Sequence, residues 1–281
     1  MTTTSYPSPV DKLLTFGDCS KFQKWPNYLE LGFGAEHVGD LIRMMTDEAL
    51  NTADSESMEV WAPIHAMRTL GQLRAEAAIQ PIIGLFNRTD ASDNYAVLSF
   101  PIVMSMIGPA AISALTTFIS DPANGMYPRT YAGDCLAEIG RQHPVVREEC
   151  IQSLVAVIED FEKNDPSLNG FLIANFLDLG AVEAAPVMER AFAADCVDET
   201  IAGDWEDVQV DLGLLAARKT MRQYSLWKST VPKNSTGEEI LTPPDPSSSL
   251  QKQRNKTAKQ KLKNKRAMAA KSRRLNRKKK K

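Results

Sequence analysis

Histidine and cysteine, which often perform catalysis or bind metals, are few in this chain and widely spaced. The three histidines, His37, His65 and His143, fall in no His-x-x-x-His or Glu-x-x-His pattern that would place two ligands on one helix face. No Cys-x-x-Cys pair occurs among the four cysteines, which are Cys19, Cys135, Cys150 and Cys196. The sequence therefore predicts no catalytic residue, no cofactor and no metal site. The scattered cysteines favour a reducing, cytoplasmic setting.

Two of the cysteines lie in apolar stretches with helical spacing. Cys135 is in the middle of the stretch Tyr131–Leu136, and Cys150 begins the next apolar stretch. A free cysteine in such a setting is usually a small buried apolar residue. We therefore predict that Cys135 and Cys150 are buried and that neither acts as a nucleophile.

The most specific pattern in the sequence is a run of basic residues at the C-terminal end. Residues 251–281 contain 16 Lys and Arg, and no Asp, Glu, Gly, Pro or aromatic residue. Cations at this density bind phosphate backbones by releasing condensed counterions, which gives salt-sensitive affinity without sequence preference. Without aromatic side chains, stacking on single-stranded bases is not expected. The predicted polyanion-binding residues are Lys252, Arg254, Lys256, Lys259, Lys261, Lys263, Lys265, Arg266, Lys271, Arg273, Arg274, Arg277, Lys278, Lys279, Lys280 and Lys281.

The rest of the chain carries the opposite charge. Residues 1–217 hold 12 Lys or Arg against 32 Asp or Glu, a net of −20 that the whole-chain value of −2 conceals. Within this part, Asp204, Asp207 and Asp211 are spaced i, i+3 and i+7, with Glu206 beside them. We interpret these four carboxylates as a candidate face for a basic partner or for the chain's own tail. The alternative is an ordinary solvated helix face, with Asp204 as the N-cap of the helix.

A pair formed by an apolar residue and glycine recurs every 32 to 40 residues. Most of these pairs end an apolar stretch with helical spacing, and a second such stretch follows before a polar loop. Glycine ends helices readily because it adopts the left-handed conformation without steric cost. The pattern predicts helix pairs that must stack, since one pair cannot bury its apolar faces alone. The pairs are Leu31-Gly32, Leu70-Gly71, Ile107-Gly108, Ile139-Gly140, Leu179-Gly180 and Leu212-Gly213.

Over residues 27–217 this repeating unit resembles the HEAT-like repeat, in particular the short bacterial type named after phycobilisome lyases. The segment Gly203–Val208 with Leu212-Gly213 is also similar to the last helix of an uncharacterised bacterial HEAT-like family with lysine-rich C-terminal tails. The resemblance implies an all-α fold, an α-solenoid of about five HEAT-like helix pairs. A basic C-terminal tail would follow it, and we expect this tail to be disordered because it has too few apolar residues to bury.

These observations divide the chain into four parts. Residues 1–26 are predicted to be an N-terminal extension or cap, and residues 27–229 the helical repeats. Residues 230–250, rich in Pro and Ser, are predicted to be a linker to the basic tail at 251–281. No stretch approaches the roughly 18–20 uninterrupted apolar residues of a membrane-spanning helix, so no membrane span is expected.

The function that best fits this organisation is a non-catalytic scaffold for protein–protein interaction. A protein partner would bind the repeat surface, and the basic tail would bind RNA, the ribosome or another polyanion, including the backbone of nucleic acid. The alternative implied by the resemblance is an enzyme or enzyme subunit of the phycobilisome (bilin) lyase type, with the bilin held in a helical groove. The resemblance concerns the generic repeat and no catalytic residue, which favours the scaffold. The sequence leaves the oligomeric state open.

Overall fold

The computed structural model describes residues 5–22, 24–89 and 94–221. The chain divides into two units, 1–216 and 217–281, and the second is described only as far as residue 221. The predicted linker at 230–250 and the basic tail at 251–281 lie outside the described residues. Within the described ranges all regular secondary structure is helical and no strand occurs, so the predicted all-α class is confirmed.

The described chain is built from short and medium helices joined by 3₁₀ turns. Most of these turns lead directly into the helix that follows them. The α-helices of the described residues are α1 (Val38–Thr46), α2 (Glu48–Asn51), α3 (Ala62–Gln72), α4 (Ile79–Phe86), α5 (Asn94–Ile107), α6 (Ile112–Ser120), α7 (Met126–Gln142), α8 (Arg147–Ile158), α9 (Pro166–Leu179), α10 (Ala185–Ala193), α11 (Glu199–Ala202) and α12 (Trp205–Asp211).

The helices of residues 1–216 pack in two rows. In one row, each odd-numbered helix from α1 to α9 contacts the next odd-numbered helix, and the row ends at α11. In the other row, each even-numbered helix from α4 to α10 contacts the next even-numbered helix, and the row ends at α12. Apolar side chains from both rows form one continuous core between them. At its centre the ring of Phe86 on α4 lies 4.8 Å from Phe100 on α5, and Tyr131 on α7 lies 6.0 Å from Phe100.

The glycines of the repeated pairs have two different roles. Gly108 and Gly180 follow α5 and α9 with φ of 96° and 59°, as expected for glycines that end helices. Gly71 and Gly140 instead lie in the last turn of α3 and α7, near the helix ends as predicted but without the left-handed conformation that terminates a helix. A Cβ at Gly140 would stand 2.8 Å from Leu179 Cδ2 on α9 and 3.2 Å from Cys150 Cβ on α8, which indicates close packing of the neighbouring helices at this glycine.

The N-terminal segment packs against α3. It forms three 3₁₀ turns, Val10–Thr15, Cys19–Lys21 and Tyr28–Leu31, and it contributes fully buried apolar side chains to the core. The side chain of Gln72 on α3 forms hydrogen bonds with the last part of this N-terminal segment. Gln72 Nε2 donates to the carbonyl of Pro26 at 2.8 Å, and Gln72 Oε1 accepts from the backbone N–H of Tyr28 at 2.8 Å.

No single helix in the described ranges is long and apolar enough to cross a membrane. By length and composition alone, the segments Tyr95–Ile107 and Pro109–Ser120 pass that test as a pair, with a bend of 114° between them.

Candidate functional site

A buried polar cluster joins the N-terminal segment to α3, and His65 is at its centre. The imidazole is fully buried, with Nε2 2.8 Å from the carbonyl oxygen of Gly17 and Nδ1 2.7 Å from the hydroxyl of Tyr28. A carbonyl oxygen can only accept, so Nε2 carries the proton. Nδ1 therefore accepts the hydrogen bond that the Tyr28 hydroxyl donates.

The surroundings keep both members of this pair uncharged. Burial lowers the pKa of His65, and the nearby positive charge of Arg68 acts in the same direction. Burial also raises the pKa of Tyr28 to about 12. The rings of Phe16 and Phe22 pack edge-on against the imidazole. This neutral, fully buried Tyr–His pair anchors the N-terminal segment to α3, because its hydrogen bonds join residues of both.

Arg68 occupies the next turn of α3 and is 5% exposed. Its Nε donates to Ser99 Oγ on α5 at 3.3 Å, and its guanidinium lies 4.5 Å from the ring of Trp25. Within the described residues its Nη1 has no hydrogen-bond partner. Stacking on the indole compensates part of the desolvation of this charge. Arg68 therefore holds the N-terminal segment, α3 and α5 together.

Among the described residues, the two cysteines predicted to be buried lie in the core, and the other two histidines are hydrogen-bonded to backbone groups. Cys135 and Cys150 are fully buried as predicted, and burial raises the pKa of both thiols, that of Cys150 to about 11. His37 accepts a hydrogen bond from the backbone of Gly34, and His143 Nε2 lies 2.7 Å from the carbonyl oxygen of Ser105. Across the described ranges, no group of three or more His, Cys, Asp or Glu residues is placed to hold a metal ion.

The four predicted carboxylates of the acidic face are brought to one short helix, but two of them serve its N-terminus. Asp204 is the N-cap of α12 and its carboxylate accepts from the N–H of Asp207 at 3.0 Å, while Asp207 Oδ2 accepts from the N–H of Asp204 at 3.3 Å. This capping box satisfies backbone donors at the helix start. Glu206 lies in the first turn of α12 and Asp211 is its last residue. The capping alternative therefore accounts for Asp204 and Asp207.

One helix of the described structure presents an apolar face to solvent. On α5, Tyr95, Leu98 and Ile102 are 37%, 49% and 39% exposed, at a spacing that places them on one side of the helix. The Trp61 ring packs against Tyr95 with 5.3 Å between ring centroids. Contiguous exposed apolar side chains are typical of interaction surfaces.

The second row of helices contains an open groove between α4 and α6, with a volume of about 710 Å³. Its floor is apolar, and its rim carries Gln80, Ser113 and Thr117. The carboxylates of Glu76 and Asp121 lie on the same groove, and the described lining contains no Lys or Arg. Ligand-binding clefts commonly have volumes of about 300–1,000 Å³. The floor residues are Ile79, Ile83, Ala114 and Phe118.

The corresponding groove between α8 and α10 is much smaller, at about 140 Å³. Two ion pairs cross it. Arg190 Nη2 lies 2.6 Å from Glu159 Oε2, and Arg147 Nη1 lies 2.6 Å from Glu183 Oε1. Two equivalent positions in the same row of helices therefore differ. Ion pairs cross the groove between α8 and α10, whereas the described link between α4 and α6 is a hydrogen bond from Asn87 Nδ2 to Asn124 Oδ1 at 3.0 Å, and the groove there is larger.

Neither the buried cluster nor the open groove was predicted from the sequence. The signal for the cluster was present, since His65 and Arg68 occur in a helix whose first half is otherwise apolar. The groove had no signal, because it forms between helices that are separate in the sequence. The sixteen predicted polyanion-binding residues, from Lys252 to Lys281, lie outside the described residues.

These features define an all-α protein whose prominent exposed sites are a groove and an apolar helix face. The chain belongs to the family described as "Protein of unknown function (DUF1186)", which matches residues 38–229. No curated protein and no solved structure matches the chain.

Proposed function

We propose that this protein is a non-catalytic scaffold that binds a protein partner on its helical surface. In this proposal the helix pairs stack as an α-solenoid of HEAT-like repeats. The packing of each helix on the next member of its own row supports that arrangement. Stacked helix pairs provide long surfaces on which partner chains bind, because each added pair extends the same surface.

The observation that carries the proposal is the open groove between α4 and α6. It combines an apolar floor with polar rim groups, which is the composition of protein-recognition sites. Side chains of this chain bridge the neighbouring positions of the row. Thr116 Oγ1 donates to Ser153 Oγ at 2.8 Å between α6 and α8, and ion pairs cross between α8 and α10. Between α4 and α6 the only comparable described contact is a hydrogen bond from Asn87 Nδ2 to Asn124 Oδ1 at 3.0 Å, which joins the segments that follow the two helices. We infer that another chain packs in the groove that stays open beside this bond.

A groove-filling variant tests the scaffold function. Ser113 is exposed within the groove, so Ser113→Trp should place an indole in it without disturbing the core. A partner that copurifies with the wild-type chain from native lysate, with nuclease present, should be lost from this variant. Val145, which is 98% exposed outside both grooves, provides the control Val145→Trp. Equal recovery of the partner by wild type and Ser113→Trp would refute the proposed use of the groove.

The second part of the proposed function is sequence-independent binding of RNA, the ribosome or another polyanion by the basic tail. Its sixteen Lys and Arg support this proposal. Linking it to a partner-binding surface would raise the effective concentration of one ligand near the other. Deleting residues 250–281 should weaken binding to RNA or DNA and flatten its salt dependence. Equal binding by the truncated and full-length chains would refute this part.

A further inference from the structure

The two ends of the groove between α4 and α6 carry negative charge that no described ion pair neutralises. Glu76 precedes α4 and Asp121 follows α6, and neither forms a salt bridge within the described residues. Arg129 attracts Asp121 through space but directs its hydrogen bonds to the carbonyl of Ile119 and to Asn164. We propose that this groove binds a segment of a partner protein in which Lys or Arg flanks an apolar side chain. This inference rests on the proposed scaffold function and names its partner class.

The groove between α8 and α10 shows how the same position is filled inside this chain. Arg190 is the sixth residue of α10 and reaches Glu159, the residue that follows α8. The corresponding positions between α4 and α6 are Thr117, the sixth residue of α6, and Asn87, which follows α4. The arginine that crosses one groove is therefore absent from the other, where Asn87 Nδ2 instead donates to Asn124 Oδ1 at 3.0 Å.

The second bridge is missing as well. Arg147, the first residue of α8, pairs with Glu183 in the 3₁₀ turn before α10. The equivalent residues are Ile79, the first residue of α4, and Ala110 in the turn before α6, and both line the open groove. With neither bridge in place, carboxylates and apolar floor stay accessible. The partner's cation would do here what Arg190 does in the neighbouring groove.

The composition of the groove selects among ligands. Ile79 and Ile83 form an apolar floor suited to an aliphatic side chain, while the exposed amide of Gln80 offers a donor and an acceptor to a peptide backbone. A phosphate backbone would meet only negative charge. A second copy of this chain would bring its own acidic body, with 32 Asp or Glu against 12 Lys or Arg in residues 1–217. Electrostatic complementarity therefore favours a cationic peptide.

The probe is a short acetylated and amidated peptide of Leu and Ala with Lys at one end and Arg at the other. Titrated into the isotope-labelled full-length chain, it should shift the amide signals of residues that line the groove. A peptide of the same length with Glu at both ends should leave them unchanged. The double variant Glu76→Gln with Asp121→Asn should weaken binding of the cationic peptide about three- to tenfold, the effect of two exposed ion pairs. Asn at position 121 keeps the side-chain oxygen that accepts from the N–H of Ala123.

Thr117→Arg provides a second test that does not remove any groove residue's charge. Thr117 is exposed and lies one helical turn before Asp121, so the new guanidinium should pair with that carboxylate and block the peptide. Equal affinity of wild type and both variants would overturn the proposal. Self-association of the chain through the groove would also overturn it. So would a shift of the amide signals of the groove residues, measured without peptide, when the Lys and Arg of residues 251–281 are replaced by Gln. If the peptide fails to bind but Ser113→Trp still loses a copurifying partner, the scaffold function stands and the cationic partner class is wrong.

Discussion

The hydroxyl of Tyr28 donates a 2.7 Å hydrogen bond to Nδ1 of His65 and thereby ties the N-terminal segment to α3. Both groups are fully buried, and the other imidazole nitrogen donates to the carbonyl of Gly17. His65 thus contacts two separate turns of the N-terminal segment. The hydrogen-bonding capacity of the neutral imidazole is fully used.

Removing the Tyr28 hydroxyl should destabilise the fold. In Tyr28→Phe the ring remains but His65 Nδ1 loses its donor, and leaving a buried polar group unsatisfied costs about 1–3 kcal/mol. Urea denaturation followed by far-ultraviolet circular dichroism measures the loss. The matched control is Tyr95→Phe, because Tyr95 is an exposed tyrosine, and it should change stability by less than about 0.5 kcal/mol. Equal stability of wild type and Tyr28→Phe would show that the buried bond is not stabilising.

Stability should depend on pH through His65. Burial and Arg68 lower the pKa of His65 in the folded state, so the unfolded chain binds the proton more tightly. The contribution of neutral His65 to the free energy of unfolding is fully present above the pKa of the unfolded state, about 6.5. It is lost as the pH falls through the pKa of the folded state. The free energy of unfolding should therefore decrease on acidification from about pH 7.5 to about pH 5.5. The charged groups that act on the imidazole are Arg68, which opposes protonation, and Asp18, which favours it.

The pH dependence should become shallower in His65→Gln, which cannot titrate. Urea midpoints at each pH compare this variant with wild type, and the difference between their slopes isolates the histidine. Parallel curves for the two proteins would assign the pH dependence to other groups.

Replacing glycine by alanine should change the stability of the protein by different amounts at Gly140 and at Gly84. In Gly140→Ala the new Cβ would lie 2.8 Å from Leu179 Cδ2 and 3.2 Å from Cys150 Cβ. Overpacking of this kind costs about 1–3 kcal/mol. Gly84 is an exposed glycine inside α4, and a Cβ at this position would have no neighbouring atom within 4 Å, so Gly84→Ala should be neutral or stabilise the protein by up to about 1 kcal/mol. Thermal unfolding of both variants tests the contrast, and a destabilisation of similar size in both would contradict it.

The two arginines that cross the groove between α8 and α10 should contribute unequally to stability. Besides its ion pair, Arg147 donates from Nε to the carbonyl of Leu179 at 3.0 Å and from Nη2 to that of Gly180 at 2.9 Å. The first bond satisfies a carbonyl at the end of α9 that lacks a helical partner, whereas the carbonyl of Gly180 also accepts from the N–H of Val182 at 3.0 Å. Arg190 makes an ion pair with Glu159 and has a side chain that is 56% exposed.

Arg147→Ala should therefore cost about 1–2 kcal/mol, the effect of losing hydrogen bonds from a charged donor. Arg190→Ala should cost less than about 1 kcal/mol, as for exposed ion pairs, and its effect should shrink further in high salt. Urea denaturation at low and high salt measures both. A larger loss in Arg190→Ala than in Arg147→Ala would contradict the ranking.

Short-range patterns in the sequence sufficed to predict the fold class. Apolar spacing and polar breaks predicted helices and no strands, and both hold in the described residues. The same patterns predicted the burial of Cys135 and Cys150, because a residue within an apolar helical stretch faces the core. For glycine the local pattern was ambiguous. Gly108 and Gly180 end helices, whereas Gly140 lies in the last turn of one, where α8 and α9 pack closely against it.

The sequence by itself determined the helical character of this protein, its separation of opposite charges and its candidate basic and acidic surfaces. Tertiary structure alone decided which polar groups meet. Tyr28 and His65 are 37 residues apart, and Glu159 and Arg190 are 31 apart, so no local periodicity couples them. The groove between α4 and α6 is likewise a property of packed helices. Its lining residues belong to two helices and the segments beside them, and they become neighbours only when the chain folds.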